Sequence, residues 1–187
     1  MINVLSGTDV DVIEPFPLTR LAAAAQWMRC YKTMVFGDDG PQTNEEIEEY
    51  LKLHLTLPSV RSWAIVDKNN LTGAKEFESP LVGIITSEQM NKQNAYVHVA
   101  SARRAWGNKL CEPGLVEQGL GVVFAHLFEN PSLNRLSAAM LAKNTAARAL
   151  AQRLGFVKDG YFLNMINVGG AGANIIHMGL QRPTEGQ

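Results

Sequence analysis

The segment "KNTAARALAQRLGFVKDG", residues 143–160, decides how this chain is read. It leaves one apolar strand pattern, passes through a helix and enters the next strand. Asn144 stands where a side-chain oxygen can cap the helix. Ala147, Leu150, Ala151 and Leu154 recur at helical spacing and form one apolar face. Gly155 supplies the left-handed residue that stops a helix, and Phe156 packs back. Packing alone accounts for all of this. It does not require Ala146, Ala147, Ala149 and Ala151 together. A helix so poor in side-chain bulk allows a second helix, or a ligand, to come close.

Outward from this segment, "NRLSAAML" (134–141) reads as the strand before it, and "YFLNMINV" (161–168) and "NIIHMGL" (174–180) as strands after it. Upstream, Pro113 is suited to the first position of a helix running through "GLVEQGLGVVFAHLFEN". "RSWAIVD" (61–67), "LVGIITSE" (81–88) and "NAYVHVAS" (94–101) are three strands, the first two joined by a polar loop from Lys68 to Pro80. Thr43 and Glu46 set up a capping box ahead of the helix "NEEIEEYLKLHL". Residues 18–36 form an earlier helix with Leu18, Leu21, Ala25, Met28 and Lys32 on one stripe. "VDVIEPF" (10–16) is the first strand, stopped by Pro15 and Pro17. The order is strand, two helices, three strands, helix, strand, helix, two strands. Strand-helix-strand passages inside an otherwise antiparallel order predict an α/β fold. Its mixed sheet has about seven strands, mostly antiparallel, with helices on both faces.

The 187 residues suit one domain, 1–187, with its own core. Apolar residues make up 46% and charged residues 19%, and the net charge of -1 gives no global attraction to nucleic acid or membrane. Cys30 and Cys111 are too few for a disulfide scaffold and lack metal-ligand spacing, so no metal is expected. No apolar run reaches the ~20 residues of a membrane span. The first residues, "MINVLSGTDVDVIE", lack the pattern of a secretory signal. A cytoplasmic location is expected.

"VASARRAWGNKLCEPG" (99–114) joins a strand to a helix and carries Arg103, Arg104, Gly107, Asn108 and Lys109. Backbone N–H groups in a glycine-containing turn ahead of a helix suit an anion, and nearby guanidinium and ammonium groups suit phosphate. A solvated basic loop is the plainer reading. The charge is confined to one loop, with no basic stripe along a helix, which argues against nucleic acid.

The run from Val99 through Arg104 and Gly107 to Lys109, and the run from Asn144 to Phe156 ("N-x-x-A-x-x-L-x-x-x-L-G-F"), together resemble the GNAT superfamily of N-acyltransferases. The likeness is nearest to the branch that acetylates protein N-termini, including ribosomal-protein alanine acetyltransferases, and its sequence-level part extends from about Asn94 to Leu180. It implies acetyl-CoA as co-substrate and direct attack by a primary amine, a protein N-terminus or a small amine. It implies a strand around Val97 and Val99 splayed from the strand at 134–141, with the pantetheine arm in the gap and a backbone N–H polarising the thioester carbonyl. Arg103, Arg104, Gly107, Asn108 and Lys109 would meet the pyrophosphate, Asn144 the pantetheine arm and Arg148 a phosphate. A homodimer is left open.

Several positions depart from the family pattern. Lys109 stands where Gly or Ala is usual, and Glu112 with Pro113 delays the helix and places a carboxylate near its N-terminus. Ala151 occupies the position of the tyrosine that often protonates the leaving thiolate, while Tyr161 lies on the following strand. These departures keep a second reading open: a catalytically inactive subunit of the same fold, for example in a phage particle. For the proton taken from the attacking amine, Glu88 and His98 are the candidates. His54, His126 and His177 read as surface residues, and Trp63 and Trp106 as packing or cleft-rim residues.

Overall fold

A computed structural model describes residues 2–29, 38, 40–70, 80–102 and 114–183. The elements run β1 (Asn3–Ser6), β2 (Val10–Glu14), α1 (Leu21–Met28), α2 (Asn44–Leu55), β3 (Val60–Asp67), β4 (Leu81–Gln89), β5 (Asn94–Ser101), α3 (Leu115–Phe128), β6 (Arg135–Leu141), α4 (Thr145–Arg153), β7 (Val157–Val168) and β8 (Ala171–Gln181). Short 3₁₀ turns at Leu18–Arg20 and Lys68–Asn70 complete the order.

The eight strands form one sheet in the order β1-β2-β3-β4-β5-β6-β8-β7. Among the described residues only β5 and β6 pair in parallel; α3 supplies the crossover that a parallel connection needs. The mixed, mainly antiparallel sheet is as expected, with one strand more. The extra strand is β1, which pairs antiparallel with β2. Its four residues are mostly exposed and bury no face, so no apolar alternation announces it.

Two cores sandwich the sheet. On one face Leu21, Ala24, Ala25 and Met28 of α1 and Ile47, Leu51 and Leu55 of α2 pack on Ala64, Val66, Leu81 and Ile84. On the other, α3 presents Leu115, Val116, Leu120, Val123, Phe124 and Leu127 to Val12, Trp63, Ile65, Val97 and Leu136. Gly119 lets α3 approach closely: a Cβ there would sit 2.7 Å from the Ile65 side chain.

Local signals set the helix ends. Thr43 accepts from the Glu46 amide and the Glu46 carboxylate accepts from the Thr43 amide, the expected capping box. Gly155 has φ +88° and closes α4, and the Phe156 amide donates back to the Ala151 carbonyl at 2.9 Å. Two boundaries differ from expectation. Leu18 lies in a 3₁₀ turn and is 44% exposed, so the buried stripe of α1 begins at Leu21, while Lys32 lies outside the described residues. The helix α3 begins at Leu115 behind Gly114, whose φ of +100° makes it the cap, so Pro113 precedes the helix instead of opening it.

Candidate active site

The parallel ladder between β5 and β6 has three rungs, Asn94–Arg135, Ala95–Leu136 and Tyr96–Ser137, and then stops. Beyond it β5 stays paired with β4 as far as Ser101, and β6 with β8 as far as Leu141. Each strand follows its outer neighbour, and the two diverge. The Met90 amide bonds the Asn94 carbonyl and the Ala102 amide bonds the Val82 carbonyl. These two bonds fix the alternation of the ladder: even-numbered residues of β5 bond β4, and odd-numbered ones turn their backbone groups to the gap. The same logic on β6, from the bonds Arg182 to Asn134 and Ala142 to Asn174, turns Ala139 inward. The slot edges therefore present the Val97 carbonyl and the N–H and C=O groups of Val99 and Ala139.

This slot is part of a cleft of about 910 Å³ that reaches from Gly114 at the head of α3 to Tyr50 and His54 of α2. Helix α4 forms one wall through Asn144, Ala146, Ala147, Leu150 and Ala151. Three of the four alanines, Ala146, Ala147 and Ala151, therefore face a ligand-sized space, and Ala151 also joins the core, while Ala149 is exposed. Asn144 Oδ1 accepts from the Ala147 amide at 3.1 Å. The cap occupies the oxygen and leaves Nδ2 as the atom for a ligand.

Arg148 donates to the Ala142 carbonyl at 3.1 Å and does not line the cleft. Arg153, which the sequence reading did not single out, does line it, and pairs with Glu117 in the first turn of α3 at 2.9 Å. Arg103, Arg104, Gly107, Asn108 and Lys109 lie outside the described residues, as do Trp106, Cys111 and Glu112.

On the opposite side of the slot, His98 lines the cleft from β5 beside its cross-strand partner Thr86. Water reaches the ring, but the cleft walls still strip part of its hydration. This desolvation, reinforced by His54, lowers its pKa from 6.5, and Glu88 partly opposes the shift. The His54 ring meets that of His98 edge-on, with centroids 6.4 Å apart at 86°. Glu88 sits opposite Tyr96, does not line the cleft, and reaches His98 only as a nearby charge. Of the residues read from sequence as surface histidines, His54 meets His98, and His177 meets Tyr96 and Phe162. The one legible signal, for His54 alone, was spacing: Tyr50 and His54 lie four apart on a helix and stack at 6.0 Å. Tyr161 cannot replace the missing tyrosine of α4, because its hydroxyl is bonded by Asn174 at 2.8 Å away from the cleft lining. Phe162 packs on His177 at 4.7 Å and leaves the slot open.

Among the described residues no group of three His, Cys, Asp or Glu side chains is placed to hold a metal ion, and no helix is long and apolar enough to cross a membrane.

Solved structures of similar fold include a RimL ribosomal L7/L12 alpha-N-protein acetyltransferase in complex with coenzyme A. It has TM-score 0.76 and 14% identity, over 96% of this chain and 98% of that one. The ribosomal-protein-S5-alanine acetyltransferase from Vibrio fischeri aligns with TM-score 0.72 at 16% identity over 97% and 100% of the two chains. An acetyltransferase from Salmonella typhimurium that modifies the N-terminal serine of ribosomal protein L7/L12 aligns with TM-score 0.76 at 14% identity over 97% and 100%. At these identities the likeness is one of fold. No curated protein matches the sequence. The Acetyltransferase (GNAT) domain family matches residues 11–157, so the likeness begins far upstream of Asn94. The chain belongs to the GNAT family of acetyltransferases.

Proposed function

We propose that this protein transfers an acetyl group from acetyl-CoA to a primary amine by direct attack. The observation that carries the reading is the slot between β5 and β6, whose edges hold backbone groups without a rung. A pantetheine arm has amides that match them, and such an arm in the gap would complete both strand edges. The Val99 N–H is then a donor for the thioester oxygen, whose negative charge grows as the amine attacks. The Asn144 amide nitrogen is a further donor to the arm. The basic residues Arg103, Arg104 and Lys109, with the Gly107 and Asn108 amides, are assigned the pyrophosphate.

His98 is the better candidate of the two for accepting the amine's proton, since it lines the cleft and Glu88 does not. Its lowered pKa keeps the imidazole neutral, the form able to take a proton. Collapse of the tetrahedral adduct breaks the carbon–sulfur bond, and the coenzyme A thiolate takes a proton from solvent. The family's usual cofactor and the open cleft favour this reading over an inactive subunit.

The deciding experiment is calorimetry with acetyl-CoA on the folded protein, followed by an acetyl-transfer assay on the wild type and on Arg104→Ala combined with Asn144→Ala. Binding and turnover in the wild type, both lost in the double variant, are expected. No heat at millimolar acetyl-CoA would remove the enzyme reading.

A further inference from the structure

The strand β7 ends the sheet order, and its free edge is apolar. Val157, Tyr161, Phe162, Leu163, Met165 and Ile166 are between 39% and 70% exposed. Apolar residues scattered singly over a surface are ordinary, but these six share one strand and form a patch.

Sheet edges are usually guarded by charge, proline or a covering segment, because an open ladder invites another strand. From Gly160 to Val168 the strand has no charged residue and no proline. Its two charges are engaged within the chain: Lys158 Nζ lies 5.0 Å from the centre of the Tyr161 ring, and Asp159 pairs with Arg135. The Asp38 amide donates to the Asn167 carbonyl at 3.3 Å and covers the end of the strand. Among the described residues, no backbone group outside the β7–β8 hairpin bonds β7 between Val157 and Ile166. A bulge shapes the middle of this edge. Leu163, Asn164 and Met165 have no rung on β8, and Asn164 has φ 48°. The Asn174 side chain accepts from the Asn164 amide at 2.9 Å and fastens the bulge, with Leu163 and Met165 standing out on either side.

The area decides what can cover this edge. At the surface areas of whole residues of these types, the six exposures amount to roughly 600 Å² on each chain, the upper end of what a lone domain shows. Two such patches covering each other bury up to about 1,200 Å², above the ~1,000 Å² that a specific interface needs. A patch with no free charge offers little to a charged partner. It is complementary to itself, since apolar side chains meet apolar side chains and open N–H and C=O groups meet their like across a two-fold axis.

We propose that this surface joins two copies of the chain, β7 against β7 in antiparallel pairing about a two-fold axis, so that the two sheets run into one. The assembly closes at two, because the opposite edge of the sheet is the separate strand β1. No residue of β7 lines the cleft, so this assignment does not depend on acetyl transfer.

The test is sedimentation velocity on the full chain at micromolar concentration. Expected is the mass of two chains for the wild type and of one chain for Leu163→Lys combined with Met165→Lys. Both side chains are exposed, so the double variant should keep its circular dichroism and bind acetyl-CoA as the wild type does. Leu53→Lys, at an exposed apolar position on α2, is the control and should stay paired. In hydrogen exchange, the outward-facing amides of residues 157–162 should be protected about tenfold more in the wild type than in the double variant. A wild type with the mass of one chain overturns the inference, as does a double variant that keeps the mass of two. Pairing without that protection, or growth beyond two chains, overturns it as well. If neither protein binds acetyl-CoA, the acetyl-transfer reading falls, while the mass still decides this one.

Discussion

Tyr96 of β5 and Ser137 of β6 make the last rung between two parallel strands. One residue further on, Val97 and Ala138 no longer pair. The cause is on either side of the gap, since β5 remains fastened to β4 and β6 to β8 over their full lengths. Sheet twist rotates each pair away from the other. The resulting slot is walled by a helix of small residues.

Filling that wall tests it directly. Ala147 lines the cleft from α4. Ala147→Leu is a good helix substitution and should leave the melting temperature within a few degrees of wild type. It should weaken acetyl-CoA at least tenfold, a loss of about 1.4 kcal/mol, measured by calorimetry.

Under the proposed function Asn144 both caps α4 and donates to the ligand. Asn144→Ala removes the cap on Ala147 and should cost about 1 kcal/mol of stability in urea unfolding. Asn144→Asp keeps a capping oxygen but lacks the amide donor. Its stability should match wild type while its acetyl-CoA affinity falls, which isolates the ligand contact from the cap.

His98 predicts a pH profile. Its pKa is lowered from 6.5, so the rising limb of kcat/KM against pH should lie below that value. His98→Gln should lower kcat by about 10²-fold or more and remove the limb. His54→Phe takes away the neighbouring charge and should move the limb up toward 6.5. The same depressed pKa makes the neutral ring the form favoured by folding. Its contribution to stability is complete above about 6.5 and is lost as pH falls through that value toward the folded pKa.

Asp38 fastens the β7–β8 turn. Its pKa is lowered by the Gly170 and Gly169 amides, with a smaller contribution from Lys143. Both glycines have positive φ, 64° and 74°, which turns their N–H groups together toward the carboxylate. Asp38→Ala should speed hydrogen exchange of these two amides relative to the β8 core. In wild type the protection should be full above pH 3.8 and fade as pH falls below it.

Most of the scaffold was legible because its signals are local. The capping box of Thr43, the apolar face of Ala147, Leu150, Ala151 and Leu154, the cap of Asn144 and the stop at Gly155 each depend on residues within one or two turns. The sheet class followed from element order. The strand β1 was not legible, since it is held by backbone bonds to β2 and buries almost nothing.

The cleft was half legible. The family resemblance, not any local pattern, singled out Val97, Val99 and Asn144, and all three line the cleft. The ring contacts that run through His98 were not legible, because they draw Tyr50 and His54 from α2, Tyr96 from β5, His177 from β8 and Phe162 from β7.

The sequence by itself determined the order of the helices, the caps at Thr43 and Asn144, the stop at Gly155 and the family, since each rests on spacing along the chain. Only the tertiary structure decided that β5 and β6 part after three rungs, that Arg148 bonds the Ala142 carbonyl just beyond β6 while Arg153 meets the cleft, and that the rings of His54 and Tyr96 flank His98. Those outcomes depend on which distant strands compete for the same backbone edge and which faces are pressed together, and no local pattern records the result of that competition.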